Sequence, residues 1–186
     1  CDAMMFAHSQ GILHRDLKPE NIMVGEYGEV LVMDWGLAKV LGEREEQGSS
    51  VSRVNDTGNY GMTMEGEVMG TPQYMSPEQA MGMVAELDAS SDIYSLGGIL
   101  YAILTLRPPI DGTTLDEVLN KVKNGSISSM VTKRGGKGAL RVGVPNAMGV
   151  EVPEALQAVT LKAMATDRNK RYGSVEAFAG DIERYQ

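Results

Sequence analysis

The sequence predicts an α+β fold that is mainly helical and carries one short β-hairpin. Two stretches rich in Val, Ile, Leu and Met, residues 21–24 and 29–33, flank the turn Gly25-Glu26-Tyr27-Gly28, which is typical of a hairpin. Residues 90–106 open with capping residues and are then apolar nearly all round, a pattern that predicts a buried, central helix. Three further helices are predicted where apolar side chains recur at helical spacing, in residues 113–123, 152–165 and 173–185.

Composition restricts the class of protein. The 186 residues suffice for one domain with a buried core, and 42% hydrophobic with 23% charged residues is typical of a soluble globular protein. The net charge of −8 argues against a dedicated nucleic-acid binder, and we interpret the basic cluster within residues 121–141 as a solvated loop. Cys1 is the only cysteine, which excludes an intrachain disulfide and favours a reducing compartment, the cytoplasm. No run of 18 apolar residues is present, so no membrane contact is expected from this chain.

The first predicted helix covers residues 3–10, and Gly11 is placed to terminate it. His8 is most simply a helix-end side chain. The two histidines, His8 and His14, do not indicate a zinc site because no carboxylate stands at ligand spacing. Four apolar residues of this helix are expected to form a buried helix end: Ala3, Met4, Phe6 and Ala7.

The densest set of chemically active side chains follows in the segment His14-Arg15-Asp16-Leu17-Lys18-Pro19-Glu20-Asn21. Asp16, Lys18 and Asn21 share one short loop, and Asp34 stands 18 positions after Asp16, at the end of the predicted hairpin. Phosphoryl transfer needs a carboxylate to orient the attacking hydroxyl, a cation to neutralise the moving phosphate, and oxygen ligands for Mg²⁺. The segment therefore favours a site for magnesium and phosphate.

This segment resembles the catalytic loop of the eukaryotic-type serine/threonine protein kinases, and Asp34-Trp35-Gly36 is similar to their Asp-Phe-Gly magnesium motif. The resemblance implies a protein-kinase-like C-terminal lobe with the hairpin at its catalytic cleft. It implies that Asp16 accepts the proton of the substrate hydroxyl and that Lys18 contacts the γ-phosphate of ATP. Asn21 and Asp34 are implied to hold Mg²⁺. Lys18, two positions after the aspartate, is the serine/threonine form of the loop.

Three neighbouring side chains take further roles from the same resemblance. Met23 is implied to form the floor of the adenine site, although without the family pattern a core methionine is nearly as good an interpretation. His14 is implied to pack under Trp35 in the regulatory spine. Trp35 departs from the family phenylalanine, and its N–H needs a partner when buried.

A second motif is Gly70-Thr71-Pro72-Gln73-Tyr74-Met75-Ser76-Pro77-Glu78-Gln79-Ala80, which resembles the Gly-Thr-Pro-x-Tyr-Met-Ser-Pro-Glu of bacterial kinases of the PknB-like type. The resemblance implies that Thr71 bonds to Asp16 and Lys18 and positions the substrate-binding segment.

Two buried contacts of the helical part are also implied by the family. Glu78 is implied to pair with Arg171, and Asp92 to fix the catalytic-loop backbone near His14. Each carboxylate, taken alone, could instead be an ordinary charge near a helix start.

Residues 37–75 are rich in glycine, serine and acidic residues, which predicts a loop rather than a helix or strand. In a kinase this is the activation segment, in which a phosphate could pair with Arg15 and order the loop. Activity without phosphorylation is the alternative. The candidate phosphorylation sites are Ser49, Ser50, Ser52, Thr57 and Thr63.

The resemblance covers residues 1–186 as part of a protein kinase domain: catalytic loop 14–21, magnesium motif 34–36, activation segment 37–78 and helical lobe 79–186. The sequence contains no glycine-rich phosphate loop, no strand lysine for the α- and β-phosphates and no partner glutamate. We expect these to precede Cys1, in an N-terminal lobe, and expect the chain alone to transfer phosphate poorly or not at all.

Three functions are compatible with these motifs. The first is a serine/threonine kinase lobe that uses Mg-ATP and protein substrates, and the second is a pseudokinase or kinase-derived binding module. The third, a small-molecule phosphotransferase, is disfavoured because residues 70–78 match a protein-substrate platform. The set Asp16, Lys18, Asn21 and Asp34 favours the kinase, since a binding module has no catalytic reason to keep it.

Overall fold

The computed structural model describes residues 1–40, 72–130 and 152–185. Within these ranges the chain forms six α-helices and four short strands, as expected of a mainly helical α+β fold. The helices are α1 Asp2–Ser9, α2 Pro77–Ala80, α3 Ala89–Thr105, α4 Leu115–Lys123, α5 Glu154–Ala163 and α6 Val175–Glu183, and the strands are β1 Ile12–Leu13, β2 Ile22–Val24, β3 Val30–Val32 and β4 Lys39–Val40.

The strands form two antiparallel pairs. The predicted hairpin is confirmed as β2 and β3, with Met23 opposite Leu31. The second pair, β1 with β4, places Leu13 opposite Lys39. The expectation that residues 37–75 form only a loop is therefore wrong at its start, because a two-residue strand is too short to show an alternating pattern.

Helix α3 is the central element. Ile93, Tyr94 and Tyr101 on this helix are fully buried. Gly97 lies against α5 so closely that a Cβ built on it would stand 2.8 Å from the Ala163 Cβ. The helix is capped by Asp88, which accepts a hydrogen bond from the Ser90 N–H, so it begins slightly earlier than predicted.

The main core joins α1, α3, α5 and α6. Its buried residues are Met4, Ala7, Leu17, Ile93, Val159, Ala163, Tyr172, Val175 and Phe178. The expectation of a wholly buried end for α1 is wrong in part: Phe6 is 70% exposed and Ala3 is also exposed. Met4 and Ala7 lie on the face that meets the core, and Phe6 projects from another face, as 3.6 residues per turn requires.

In the described residues no helix is both long and apolar enough to cross a membrane.

Candidate active site

The catalytic-loop backbone is held by one buried carboxylate from α3. Asp92 Oδ2 accepts from the His14 N–H and Oδ1 from the Arg15 N–H, both at 2.9 Å. Asp92 Oδ2 also contacts His8 Nε2 at 2.8 Å. The contact expected of Asp92 is present, and His8 is more than a helix-end side chain, because it supports Asp92 from α1.

Asp16, Lys18 and Asn21 meet at the Asp16 carboxylate. Lys18 Nζ lies 2.9 Å from Asp16 Oδ2. The Asn21 amide nitrogen donates to the same oxygen at 3.2 Å and to the Asp16 carbonyl at 2.8 Å. None of the described residues bonds Asp16 Oδ1.

His14 connects this loop to the residues around Asp34. Its Nε2 lies 2.9 Å from the Met33 carbonyl, which can only accept, so the ring carries its proton there. Nδ1 then accepts the Asp16 N–H at 3.2 Å. The His14 and Trp35 rings are 4.6 Å apart. Because the residues on both sides of Asp34 touch His14, Asp34 lies beside the catalytic loop.

Trp35, Met23 and Asp34, on or directly after the hairpin, are all exposed to some extent. Trp35 is about one-third exposed, and its indole N–H donates to the Val32 carbonyl at 3.0 Å, so the extra polar group has a partner. Met23 is 50% exposed, so it does not belong to the core formed by the described residues. Asp34 is exposed and has a left-handed backbone with φ of 59°.

Arg15 also has a left-handed backbone, with φ of 68°. Its side-chain Nε donates to the Leu37 carbonyl at 2.6 Å, at the start of the expected activation segment. Its own carbonyl accepts from Gln79 Nε2 at 2.7 Å. Thr71 and the candidate phosphorylation sites lie outside the described residues, as do Lys133, Arg134, Lys137 and Arg141 of the basic cluster.

Residues 72–75 lie against the helical core. Pro72–Tyr74 forms one 3₁₀ turn, and the Ser95 hydroxyl of α3 donates to the Tyr74 carbonyl at 2.8 Å. Ser76 then caps α2. The segment is thus attached to the central helix on one side and to α2 on the other.

Glu78 and Arg171 form a bidentate ion pair with nitrogen–oxygen distances of 2.7 and 2.8 Å. Both side chains are almost completely buried, and the Ser91 hydroxyl also donates to Glu78 at 2.7 Å. Burial alone would raise the pKa of Glu78, but hydrogen bonds from Arg171 and Ser91 and the positive charge of Arg171 outweigh it and lower the pKa to about 2. The pairing expected between positions 93 residues apart is present.

The comparison with known proteins agrees with this geometry. A family profile described as the protein kinase domain matches residues 1–181. This chain belongs to the protein kinase family. It is 42% identical over 186 residues to Serine/threonine-protein kinase PknD of Protochlamydia amoebophila, an alignment that spans 100% of this chain and 17% of that kinase. The bacterial serine/threonine kinase resemblance expected from the motifs, and the fold class with it, are confirmed.

Other bacterial relatives are similar over the same region. Serine/threonine-protein kinase PknB of Mycolicibacterium smegmatis is 37% identical over 99% of this chain and 24% of its own length. The Probable serine/threonine-protein kinase PknB of Bifidobacterium longum is 36% identical over 99% of this chain and 22% of its own length. The chain therefore spans about a quarter or less of the length of these kinases.

Two side chains near Asp16, those of Asn21 and Asp34, carry oxygen atoms of the kind that Mg²⁺ binds in proteins. Asn21 uses its amide nitrogen to bond Asp16, so its Oδ1 is the atom left to face a cation. Asp34 adds an exposed carboxylate. One amide oxygen and one carboxylate fit Mg²⁺, which keeps several waters and takes other ligands from a nucleotide phosphate. The described residues contain no cluster of three or more His, Cys, Asp or Glu side chains that could hold a metal ion.

Two contacting residues of the kinase site were missed from the sequence. His8 contacts Asp92 across 84 positions, and Gln79 contacts Arg15 across 64. The Ser-x-x-Gln pattern at residues 76–79 indicates a helix start, but no local signal shows that the glutamine also reaches the catalytic loop.

Proposed function

We propose that this chain is the catalytic lobe of a serine/threonine protein kinase that transfers the γ-phosphate of Mg-ATP to Ser or Thr of protein substrates. The observation that carries the proposal is the arrangement around Asp16. One of its oxygens is held by Lys18 and Asn21, and no described residue occupies the other.

The reaction assigns a separate task to each of these groups. Asp16 orients the substrate hydroxyl and takes its proton as the new oxygen–phosphorus bond forms, in line with the bond that breaks to release ADP. Lys18, 2.9 Å from Asp16, places a positive charge beside the oxygens of the transferring group. Asn21 and Asp34 would hold the metal ion, and Mg-ATP, when bound, would supply the phosphoryl group together with charge neutralisation. Met23, half exposed on β2, contacts the adenine ring.

Full activity requires further ATP-binding groups. The sequence lacks a glycine-rich loop and a strand lysine, so we propose that another part of the same protein supplies them. Four apolar side chains of the hairpin are at least half exposed, which supports a covering partner on this face of the cleft. They are Met23, Val24, Val30 and Leu31.

Residues 72–75 and Arg15 suggest where the protein substrate binds and how the activation segment is regulated. We propose that the protein substrate lies along Pro72–Met75 and that Thr71 links this segment to Asp16 and Lys18. The Arg15 guanidinium already bonds the Leu37 carbonyl, at the base of the activation segment, where it can also receive a phosphate. The reaction takes place in the cytoplasm, where Mg-ATP is available.

The test is phosphate transfer from Mg-ATP to a Ser/Thr-containing protein by the polypeptide with its ATP-binding lobe. Asp16→Asn should lower the rate at least about a hundredfold, because it removes the proton acceptor and keeps the side-chain shape. Asp2→Asn is the matched control, since it makes the same change at an exposed position in the first turn of α1. No transfer by the wild type under activating conditions would contradict the proposal and favour a pseudokinase.

A further inference from the structure

The side-chain amide of Gln79 links the catalytic loop to Ser76, which directly follows residues 72–75, the proposed substrate segment. Gln79 Oε1 accepts from the Ser76 N–H at 3.1 Å and from the Ser76 hydroxyl at 2.9 Å. Gln79 Nε2 donates to the Arg15 carbonyl at 2.7 Å. Gln79 is 7% exposed, so these contacts are shielded from water.

The orientation of this amide is fixed from both ends. A backbone N–H can only donate, so the oxygen of Gln79 must face Ser76. A backbone carbonyl can only accept, so the nitrogen must face Arg15. Because the amide is planar, Ser76 and the Arg15 carbonyl are held at a set separation.

The bonded carbonyl belongs to the peptide unit directly before Asp16. The N–H of that unit donates to His14 Nδ1 at 3.2 Å, so it is held on both sides. The preceding residue, Arg15, has φ of 68°, a region that costs free energy for a residue with a Cβ and persists only when the surroundings enforce it. Rotation of the 15–16 peptide unit changes ψ of Arg15 and φ of Asp16, so the two bonds to this unit help to fix the backbone conformation from which the Asp16 side chain projects.

We propose that Gln79 is a positioning residue for phosphoryl transfer: its amide locks the peptide unit before Asp16 to the end of the substrate segment. This inference rests on the proposed kinase function. It separates two roles of Gln79, because the bond to Ser76 caps α2 and the bond to Arg15 orients the catalytic loop.

Gln79→Glu separates these two roles. Ser-x-x-Glu is as good a capping box as Ser-x-x-Gln, so a carboxylate still accepts from Ser76 and suits the helix N-terminus. A carboxylate cannot donate to the Arg15 carbonyl. A role limited to capping therefore predicts unchanged catalysis, whereas the positioning role predicts a fall in kcat.

The experiment measures kcat and both KM values of the complete kinase, with thermal unfolding of each variant. For Gln79→Glu we expect kcat to fall about ten- to hundredfold, with KM for ATP and protein within about twofold of wild type. Ser174→Ala, which removes the N-cap bond of α6, is the stability control and should leave kcat unchanged below its unfolding temperature. Gln79→Met removes the hydrogen bonds to Ser76 and to the Arg15 carbonyl and should lower both kcat and stability.

A second readout does not depend on catalysis. Amide hydrogen exchange of residues 13–21 should speed up in folded Gln79→Glu and stay unchanged in Ser174→Ala. Wild-type kcat together with wild-type exchange in Gln79→Glu would overturn the inference while leaving the kinase function intact. Inactivity of the wild-type kinase would instead refute the function, and the exchange data would still decide whether Gln79 holds the loop.

Discussion

The buried pair of Glu78 and Arg171 allows a quantitative test of the fold around the site. Arg171→Met keeps a long side chain but leaves the Glu78 carboxylate buried with the Ser91 hydroxyl as its remaining side-chain donor. Breaking a buried ion pair from one side costs about 3–5 kcal/mol. The ionised Glu78 carboxylate contributes an amount of similar size: lowering its pKa from 4.5 to about 2, the net of burial and all its hydrogen-bond and charge partners, corresponds to about 3 kcal/mol at neutral pH.

The same pair predicts the pH dependence of stability. Because the pKa of Glu78 is lower in the folded than in the unfolded chain, its contribution is fully present above pH 4.5 and is lost as the pH falls towards 2. The difference in unfolding free energy between wild type and Glu78→Gln should therefore shrink by about 2 kcal/mol from pH 7 to pH 3.

Urea unfolding followed by circular dichroism measures these free energies. Arg184→Met is the matched control, because Arg184 pairs with Asp181 at an exposed position and its loss should cost at most about 1 kcal/mol. A loss below about 1 kcal/mol for Arg171→Met at pH 7, or a Glu78→Gln difference that does not change with pH, would refute this account of the pair.

Two further predictions concern packing and the magnesium motif. Gly97→Ala should lower the free energy of unfolding by about 1–3 kcal/mol, because the new Cβ meets the Cβ of Ala163. Gly180→Ala should raise the free energy of unfolding by about 0.5–1 kcal/mol, because the added Cβ meets no packed neighbour within 4 Å. Equal effects of the two variants in a urea titration would contradict the packing argument. Trp35→Phe should keep the ring contact with His14 and leave transfer activity largely intact. A loss above about a hundredfold, near 2.7 kcal/mol, would show that the indole N–H is needed.

The helices and the hairpin could be predicted from sequence because their signals are local. Ser174 caps α6 within the predicted range 173–185, and Leu156 and Val159 of α5 are buried, as an apolar helix face in the predicted range 152–165 requires. Phe6 shows the limit of such patterns: periodicity shows that a helix has an apolar face but does not fix which residue the neighbouring helices leave uncovered.

The residues of the site could be predicted only where they belong to a recognisable sequence motif. The positions of Asp16, Lys18 and Asn21 follow from one short loop, so their meeting is a local consequence of that loop. The supports from His8 and Gln79 join positions far apart in sequence, and a single sequence contains no periodic or spacing signal for such contacts. The strand pair β1–β4 was missed because strands of two residues are too short to show an alternating pattern.

The most direct test of the central claim is to incubate the kinase, complete with its ATP-binding lobe, with Mg-ATP labelled in the γ-phosphate and to analyse the phosphorylated amino acids of a protein substrate. The arrangement of Asp16, Lys18, Asn21 and Asp34 predicts phosphoserine or phosphothreonine with the wild type and Asp2→Asn, and almost none with Asp16→Asn. Equal labelling by Asp16→Asn, or none by the wild type, would contradict the proposal that this loop performs phosphoryl transfer.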